Sequence, residues 1–321
     1  RDVAVTGVQT CALPILAGRR FGEIILDFPN GCPVGVARSD GTHQLNPPSD
    51  YLLQPNDDVL ILAEDDHIQY APYQGPLRGM QITPAGASTV RPMEHMLVLG
   101  WNEKIFPIVT EFDSYAAKGS TLTMVNSLEE QTVSERLREN CGELKNIQTR
   151  HMVGEFTSRA LMENLQPQNY PTVMVLGDAS SGEISAEDAD TRAIIALLLL
   201  RDFQRRSGIA TQEICSEILN PKNRELAATT EIHDIVISNE MVSMVLAQVS
   251  HVPRILPVLD DLFQSEGSEI YLKDIAKYVP YGQQVTFEYL MLAARARNEV
   301  AFGLQRSVNA PSRRYAIVLN P

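Results

Sequence analysis

HMLVLGWNEKIFPIVTEFDSYA, residues 95–116, is the stretch whose reading decides the fold. Residues 95–100 form a short apolar run of strand length, and 102–116 space their apolar side chains as an amphipathic helix does. The same alternation repeats downstream. STLTMVN (120–126) precedes the polar helix SLEEQTVSERLREN (127–140), and NIQTRHMVG (146–154) precedes TSRALMENL (157–165). PTVMVLGD (171–178) leads to a long helix from 186 to about 206. TQEICSEIL (211–219), a helix around 222–228, and HDIVIS (233–238) complete the series. Six apolar strands separated by helices predict an α/β domain, a doubly wound parallel sheet covered on both faces, Rossmann-like in class. A single helical stretch is expected from 239 to about 263.

The first strand–helix turn reads Gly100-Trp101-Asn102-Glu103-Lys104. A dinucleotide-binding turn carries G-x-G-x-x-G so that the backbone can approach a pyrophosphate. Here Asn102 and Ile105 stand at the second and third glycine positions, Trp101 is bulky, and Glu103 would bring a carboxylate to the phosphate site. Asn126 replaces the acidic residue that would hold a ribose. NAD binding is therefore disfavoured, and the sheet serves packing or another ligand. Gly100, Trp101, Asn102, Asn126, Gly154 and Asp178 are the ligand-binding candidates. Ser180-Ser181-Gly182 is no nucleophile elbow, and neither His233 nor His251 has a suggestive Ser or Cys beside it, so no catalytic residue is assigned.

The whole chain, 321 residues, is about two domains' worth. It is 44% hydrophobic, enough for a core, and its net charge of −13 excludes nucleic acid and anionic lipid surfaces as favoured partners. The longest apolar run, 193–200, is far shorter than a bilayer span, so these residues read as soluble. Cys11, Cys32, Cys141 and Cys215 show no paired spacing, which argues against a disulfide framework or a structural zinc site. Glu183, Glu187, Asp188 and Asp190 match no calcium loop, and Ser185 with Asp188 reads as a capping box. Asp57, Asp58, Glu64, Asp65 and Asp66 bracket one strand and are weak metal candidates, a solvated strand end being the commoner explanation.

A weak internal repeat frames the sheet. FGEIILDF (21–28), PVGVAR (33–38) and LNP (45–47) recur as FEYLMLAA (287–294), VAFGLQ (300–305) and LNP (319–321). Each copy predicts a short helix, a strand and a second strand. The first continues through the turn at 55–58 into the strand 59–63, whereas the second stops short and reads as truncated. Residues 1–15 show neither strand alternation nor a signal-peptide layout and are set aside as a non-native leader. The expected organisation is then a small α+β unit at 16–70, a Pro/Gly-rich linker at 71–92, the Rossmann-like domain at 93–238, linking helices at 239–283, and a second, cut small unit at 284–321.

This order is similar to tandem RCK domains, with the Rossmann-like part as N-lobe and the two small units as C-lobe-like pieces. FPNGCPVGVARSDG, LNPPSDYLLQPNDDVLILAEDD, Tyr70-Ala71-Pro72, LVLGWNEK, ADTRAIIALLLLRD, ISNEMVSMVLAQV and GSEIYLK together resemble the cytoplasmic part of the Castor and Pollux ion-channel family. GWNEK in place of a glycine fingerprint agrees with that family rather than with NAD-linked RCK proteins.

The resemblance implies a non-enzymatic gating-ring region of a cation channel, potassium being the favoured ion. The pore domain would lie upstream, and the chain would form a homo-oligomer, a tetrameric ring, at the cytoplasmic face of a membrane. Its cofactor is left open, NAD being disfavoured and Ca²⁺ or another small ligand admissible. RCK units pair through crossover helices, for which Met241, Met244, Val245 and Val249 supply an apolar stripe interrupted by Gln248. A core helix within the chain is the competing explanation for that stripe. A stand-alone NAD(P)-binding oxidoreductase and a TrkA-like gating subunit of a potassium uptake system are the alternative functions.

Overall fold

The computed structural model describes residues 8–11, 14–64, 67–75, 92–180, 182, 184–208, 212–232, 234–264, 267–305 and 317–321. Two compact units emerge, one built from residues 1–88 together with 246–321, the other from 89–245.

The first unit opens with β1 (Val8–Cys11), β2 (Gly31–Ala37), β3 (His43–Leu45) and β4 (Asp58–Ala63), an antiparallel sheet in the order β1-β4-β2-β3. Within the stretch set aside as a leader, Val8–Cys11 forms a strand that pairs with Val59–Leu62 along the sheet edge. FGEIILDF does not form the expected helix. A single 3-10 turn, Phe21–Glu23, is followed by further turns. Gly22 and Pro29 flank a run too short to nucleate a helix, and burial of Phe21, Ile24, Ile25 and Phe28 holds the compact form instead.

The second unit carries β5 (His95–Leu99), α1 (Ile105–Tyr115), β6 (Ser120–Asn126), α2 (Glu130–Cys141), β7 (Ile147–Val153), α3 (Arg159–Leu165), β8 (Thr172–Val175), α4 (Ala186–Ser207), β9 (Glu213–Ile218), α5 (Arg224–Ala228) and β10 (Asp234–Ile237). Every pairing is parallel and the order is β10-β9-β8-β5-β6-β7. This is the doubly wound sheet that the sequence spacing predicts. One apolar layer packs α3, α4 and α5 on one face around Leu97, Leu99, Val173 and Leu197, and another packs α1 and α2 on the opposite face around Val98, Val109, Phe112 and Leu122. Ser185 caps α4, its hydroxyl accepting from the Asp188 N–H at 3.1 Å. Asp190 is buried and accepts from the Leu219 and Asn220 N–H groups, so the described part of the acidic run serves the backbone. Glu183, like Asp65, Asp66, Ser181 and His233, lies outside the described residues.

The helical stretch expected at 239–263 is broken in two, α6 (Ser238–His251) and α7 (Leu256–Phe263), with a 3-10 turn at Pro253–Ile255. Pro253 lacks the N–H a continuous helix needs, and it pushes Val252 out of the helical region. The chain closes with α8 (Phe287–Arg295), β11 (Gly303–Gln305) and β12 (Ile317–Leu319).

The internal repeat is written in the backbone. Gly35 pairs with Leu45, and Gly303 with Leu319, in the same antiparallel register. A β-carbon would stand 2.6 Å from the Gln44 carbonyl at Gly35 and 2.8 Å from the Val318 carbonyl at Gly303, so both copies demand glycine. After each short strand an asparagine turns left-handed, Asn46 at φ 45° and Asn320 at φ 42°. Their N–H groups return to Val34 and Phe302 at 2.8 Å each.

Candidate functional site: a closed switch point

In a doubly wound sheet the ligand crevice opens where the strand order reverses, at the carboxyl ends of the two strands flanking the switch. Here those strands are β5 and β8, and the crevice is closed. Gly100 carries φ +90°, a conformation that turns the chain sharply out of β5. Beyond the strands the two loops stay bonded to each other. Trp101 N–H donates to Asp178 Oδ1 at 3.0 Å, and Ala179 N–H donates to the Trp101 carbonyl at 2.7 Å.

Glu217, at the end of β9, completes the closure with only 6% of its side chain exposed. Its carboxylate accepts from Gly177 N–H at 3.1 Å and from Asn102 Nδ2 at 2.9 Å, and pairs with the Lys104 ammonium. Asn102 Nδ2 also reaches the Gly177 carbonyl, while its Oδ1 accepts from Lys104 N–H, an Asx turn that delays α1 until Ile105. An internal carboxylate thus sits beside the N-terminus of α1, where dinucleotide folds place phosphate. Burial raises the Glu217 pKa, but Lys104 and the Gly177 N–H outweigh it and hold the group below the ordinary glutamate value.

The six candidates from the sequence separate in space. Gly100, Asn102 and Asp178 belong to the closed crevice. Trp101 does not line it. Its side chain is buried at 2% exposure, edge-to-face with Phe106, in the layer under α1. Asn126 and Gly154 form a neighbouring cluster at the ends of β6 and β7. Asn126 is fully buried, and its Oδ1 accepts from Leu128 N–H at 3.0 Å and from His151 Nε2 at 3.1 Å. Gly154 N–H donates to the Asn126 carbonyl. Burial, opposed by Glu130, holds the His151 pKa below its usual value, so the imidazole is neutral near pH 7.

Glu103 does not enter the phosphate position either. Its side chain is 81% exposed, 3.8 Å from Arg136. The carboxylate that does is Glu217, which sequence reading missed although it left a trace, a second acid next to the last apolar residue of the strand EICSEI. Arg192 was missed as well. It bridges Asp178 and Glu155 at 2.8 Å each and lies 5.2 Å from the Phe156 ring centroid.

The three metal candidates among the described residues, Asp57, Asp58 and Glu64, do not gather. Asp57 accepts from Tyr51 and from Gln54 N–H, and Asp58 pairs with Arg254 at 3.1 Å. Glu64 lies past the far end of β4, about 20 Å away at roughly 3.4 Å per strand residue. Among the described residues no three His, Cys, Asp or Glu side chains could share an ion.

The four assembly candidates lie on α6, where no residue is buried. Met241 and Met244 are exposed at 42% and 37%, and Val245 and Val249 are half-buried.

Substituting Gly100 by alanine is expected to destabilise the second unit by about 3 kcal/mol, read by urea denaturation. A β-carbon there would meet the Leu176 carbonyl at 2.6 Å while φ stays in the left-handed region.

Fold and site together define a doubly wound α/β protein whose nucleotide crevice is filled by its own side chains. Comparison of sequences adds the family. Residues 4–75 match the family model described as "Castor and Pollux, part of voltage-gated ion channel". The chain is 32% identical to the ion channel CASTOR of Lotus japonicus over 99% of its own length and 41% of that protein. It is 32% identical to the probable ion channel POLLUX of Oryza sativa subsp. japonica, covering 90% of the chain and 33% of the relative. The chain is a relative of the Castor and Pollux ion channels along nearly all its length, and spans about two fifths or less of theirs. Among solved structures, the GsuK RCK domain overlaps with a TM-score of 0.35 at 14% identity, over 81% of this chain and 47% of that one. GsuK bound to ADP overlaps with a TM-score of 0.32 at 13% identity, over 50% and 35%.

Proposed function

We propose that this chain is the regulatory, non-catalytic region of a cation channel of Castor and Pollux type. It would stand at the cytoplasmic face of a membrane, assemble as a ring below a pore supplied upstream, and pass the binding of a small ligand to that pore. The observation that carries this reading is the 32% identity to CASTOR across 99% of the chain. The closed switch point supports it, because Glu217 occupies the place a dinucleotide phosphate needs. No helix among the described residues is long and apolar enough to cross a membrane.

Self-association through α6 tests the reading. Met241, Val242, Met244 and Leu246 are all exposed on one fourteen-residue helix. Such a patch marks an interaction surface. In sedimentation velocity the chain is expected to form dimers or larger species at micromolar concentration. Met241→Glu with Met244→Glu should weaken that association at least roughly tenfold, since charges would be buried at its centre. Monomers at every concentration would count against the ring. Thermal shift separates the oxidoreductase alternative. NADH is expected to leave Tm unchanged, and a specific stabilisation by it would favour that alternative.

A further inference from the structure

The two copies of the repeat meet inside the first unit around a cavity of 380 Å³. Val34, Leu45 and Asn46 of the first copy form one wall, and Glu299, Val300 and Phe302 of the second form another. Residues 267–271 and Lys273 contribute a further part of the lining. The volume falls in the range of small-molecule sites, and the lining combines apolar side chains such as Leu45, Val258 and Phe302 with polar and charged ones.

The rim chemistry is lopsided. Lys273 supplies one ammonium, whereas Glu269 and Glu299 supply two carboxylates. Lys273 is already committed to Glu299 at 2.8 Å, with the Tyr278 hydroxyl donating to the same carboxylate. Burial raises the Glu299 pKa, but these partners outweigh it and hold the group ionised at neutral pH. Glu269 accepts only a neutral hydroxyl, that of Tyr271, among the bonds described for it. Aromatic rings at the rim receive positive charge on their faces, Lys273 over Tyr271 at 5.1 Å and Arg297 over Tyr278 at 5.3 Å.

From this lining we propose that the cavity binds a small amphipathic organic cation, its hydrocarbon body against Leu45, Val300 and Phe302 and its ammonium at Glu269. An anion would face two carboxylates. A bare divalent ion would find no cluster of three ligands among the described residues. The ligand touches both copies, so it binds most tightly when they are seated together and stabilises that pairing. The pairing itself is held by Arg295 to Asn46 Oδ1 at 2.8 Å, Asn46 Nδ2 to the Asn298 carbonyl at 2.6 Å, and Cys32 to Asn320 at 3.1 Å. Binding stands on the cavity alone. Its use in gating rests on the channel reading above.

The test titrates the chain with 2-phenylethylamine at pH 7.4 by calorimetry, with 3-phenylpropionate and CaCl₂ in parallel. Saturable binding of the amine is expected, in the range of about 0.1–1 mM for so small a probe, with no comparable binding of the carboxylate. Glu269→Gln should weaken it roughly three- to fivefold, the loss of a charge pair at an exposed carboxylate. Val300→Trp should abolish it by filling the cavity. If Val300→Trp fails to fold, Glu269→Gln decides alone. No saturation by about 10 mM, carboxylate binding as tight as the amine, or an amine affinity untouched by Glu269→Gln would each overturn the assignment. Loss of amine binding with self-association intact would remove this ligand and leave the channel reading standing. Self-association failing while the amine binds would do the reverse.

Discussion

Replacing Glu217 with alanine is expected to destabilise the second unit by about 3 kcal/mol and to lower its Tm by roughly 9 °C, measured by calorimetry. The loss has two parts. Gly177 N–H and Asn102 Nδ2 lose a charged acceptor in a site that admits little water. Lys104 loses its partner too, but half its side chain is exposed, so its ammonium returns to solvent at small cost. Glu217→Gln keeps the shape and should cost about half as much. The acid limb distinguishes charge from shape. A carboxylate held low in the folded state stabilises above its unfolded pKa, about 4.3, and that contribution fades as pH falls through the folded value. The wild-type chain should therefore lose more stability than Glu217→Gln between about pH 5 and pH 3. Parallel pH profiles would show that the carboxylate's charge contributes nothing to closing the crevice.

Asp113→Ala is expected to be equally damaging, about 3 kcal/mol by urea denaturation. Asp113 lies near the end of α1 and gathers three successive backbone N–H groups, those of Lys145, Asn146 and Ile147, at 2.8–3.0 Å. Those bonds lead the chain from α2 into β7, whose pairing with β6 forms that edge of the sheet. Removing the carboxylate strands three donors at once, and hydrogen exchange should rise first at those amides. Burial raises the Asp113 pKa, but the N–H groups outweigh it and the net shift is downward. Its stabilisation is thus present above the ordinary aspartate pKa and lost as pH falls through the folded value. Asp113→Asn, with one acceptor oxygen kept, should flatten that acid dependence. Unchanged exchange at 145–147 in Asp113→Ala would mean the loop is held by other contacts.

Much of this architecture was legible because a strand covered on both faces must be apolar throughout. HMLVLG, STLTMVN and PTVMVLGD announce themselves for that reason, and the helices between them leave only a parallel order. The repeat was legible because each copy needs glycine where backbones approach and an asparagine that tolerates the left-handed turn. The site was much less so. Asn102 was read by what it lacked, a glycine, while its bonds to Glu217 come from a residue more than a hundred positions later. Trp101 was placed in the turn, and its side chain instead finds more apolar area to bury beneath α1. Asp57, Asp58 and Glu64 looked close because they bracket one strand, yet a strand is extended and holds its ends apart.

By itself the sequence determined the class of fold, the absence of a phosphate-binding glycine turn, and the kinship to Castor and Pollux channels. These depend on periodicity, residue type and local order, all of which are properties of neighbours along the chain. Tertiary structure alone decided that the switch point is closed by Glu217, that α6 buries none of its residues, and that the two repeat copies enclose a cavity. Each of these depends on which distant side chains share one small volume, and pairing in space is fixed only when the whole chain has packed.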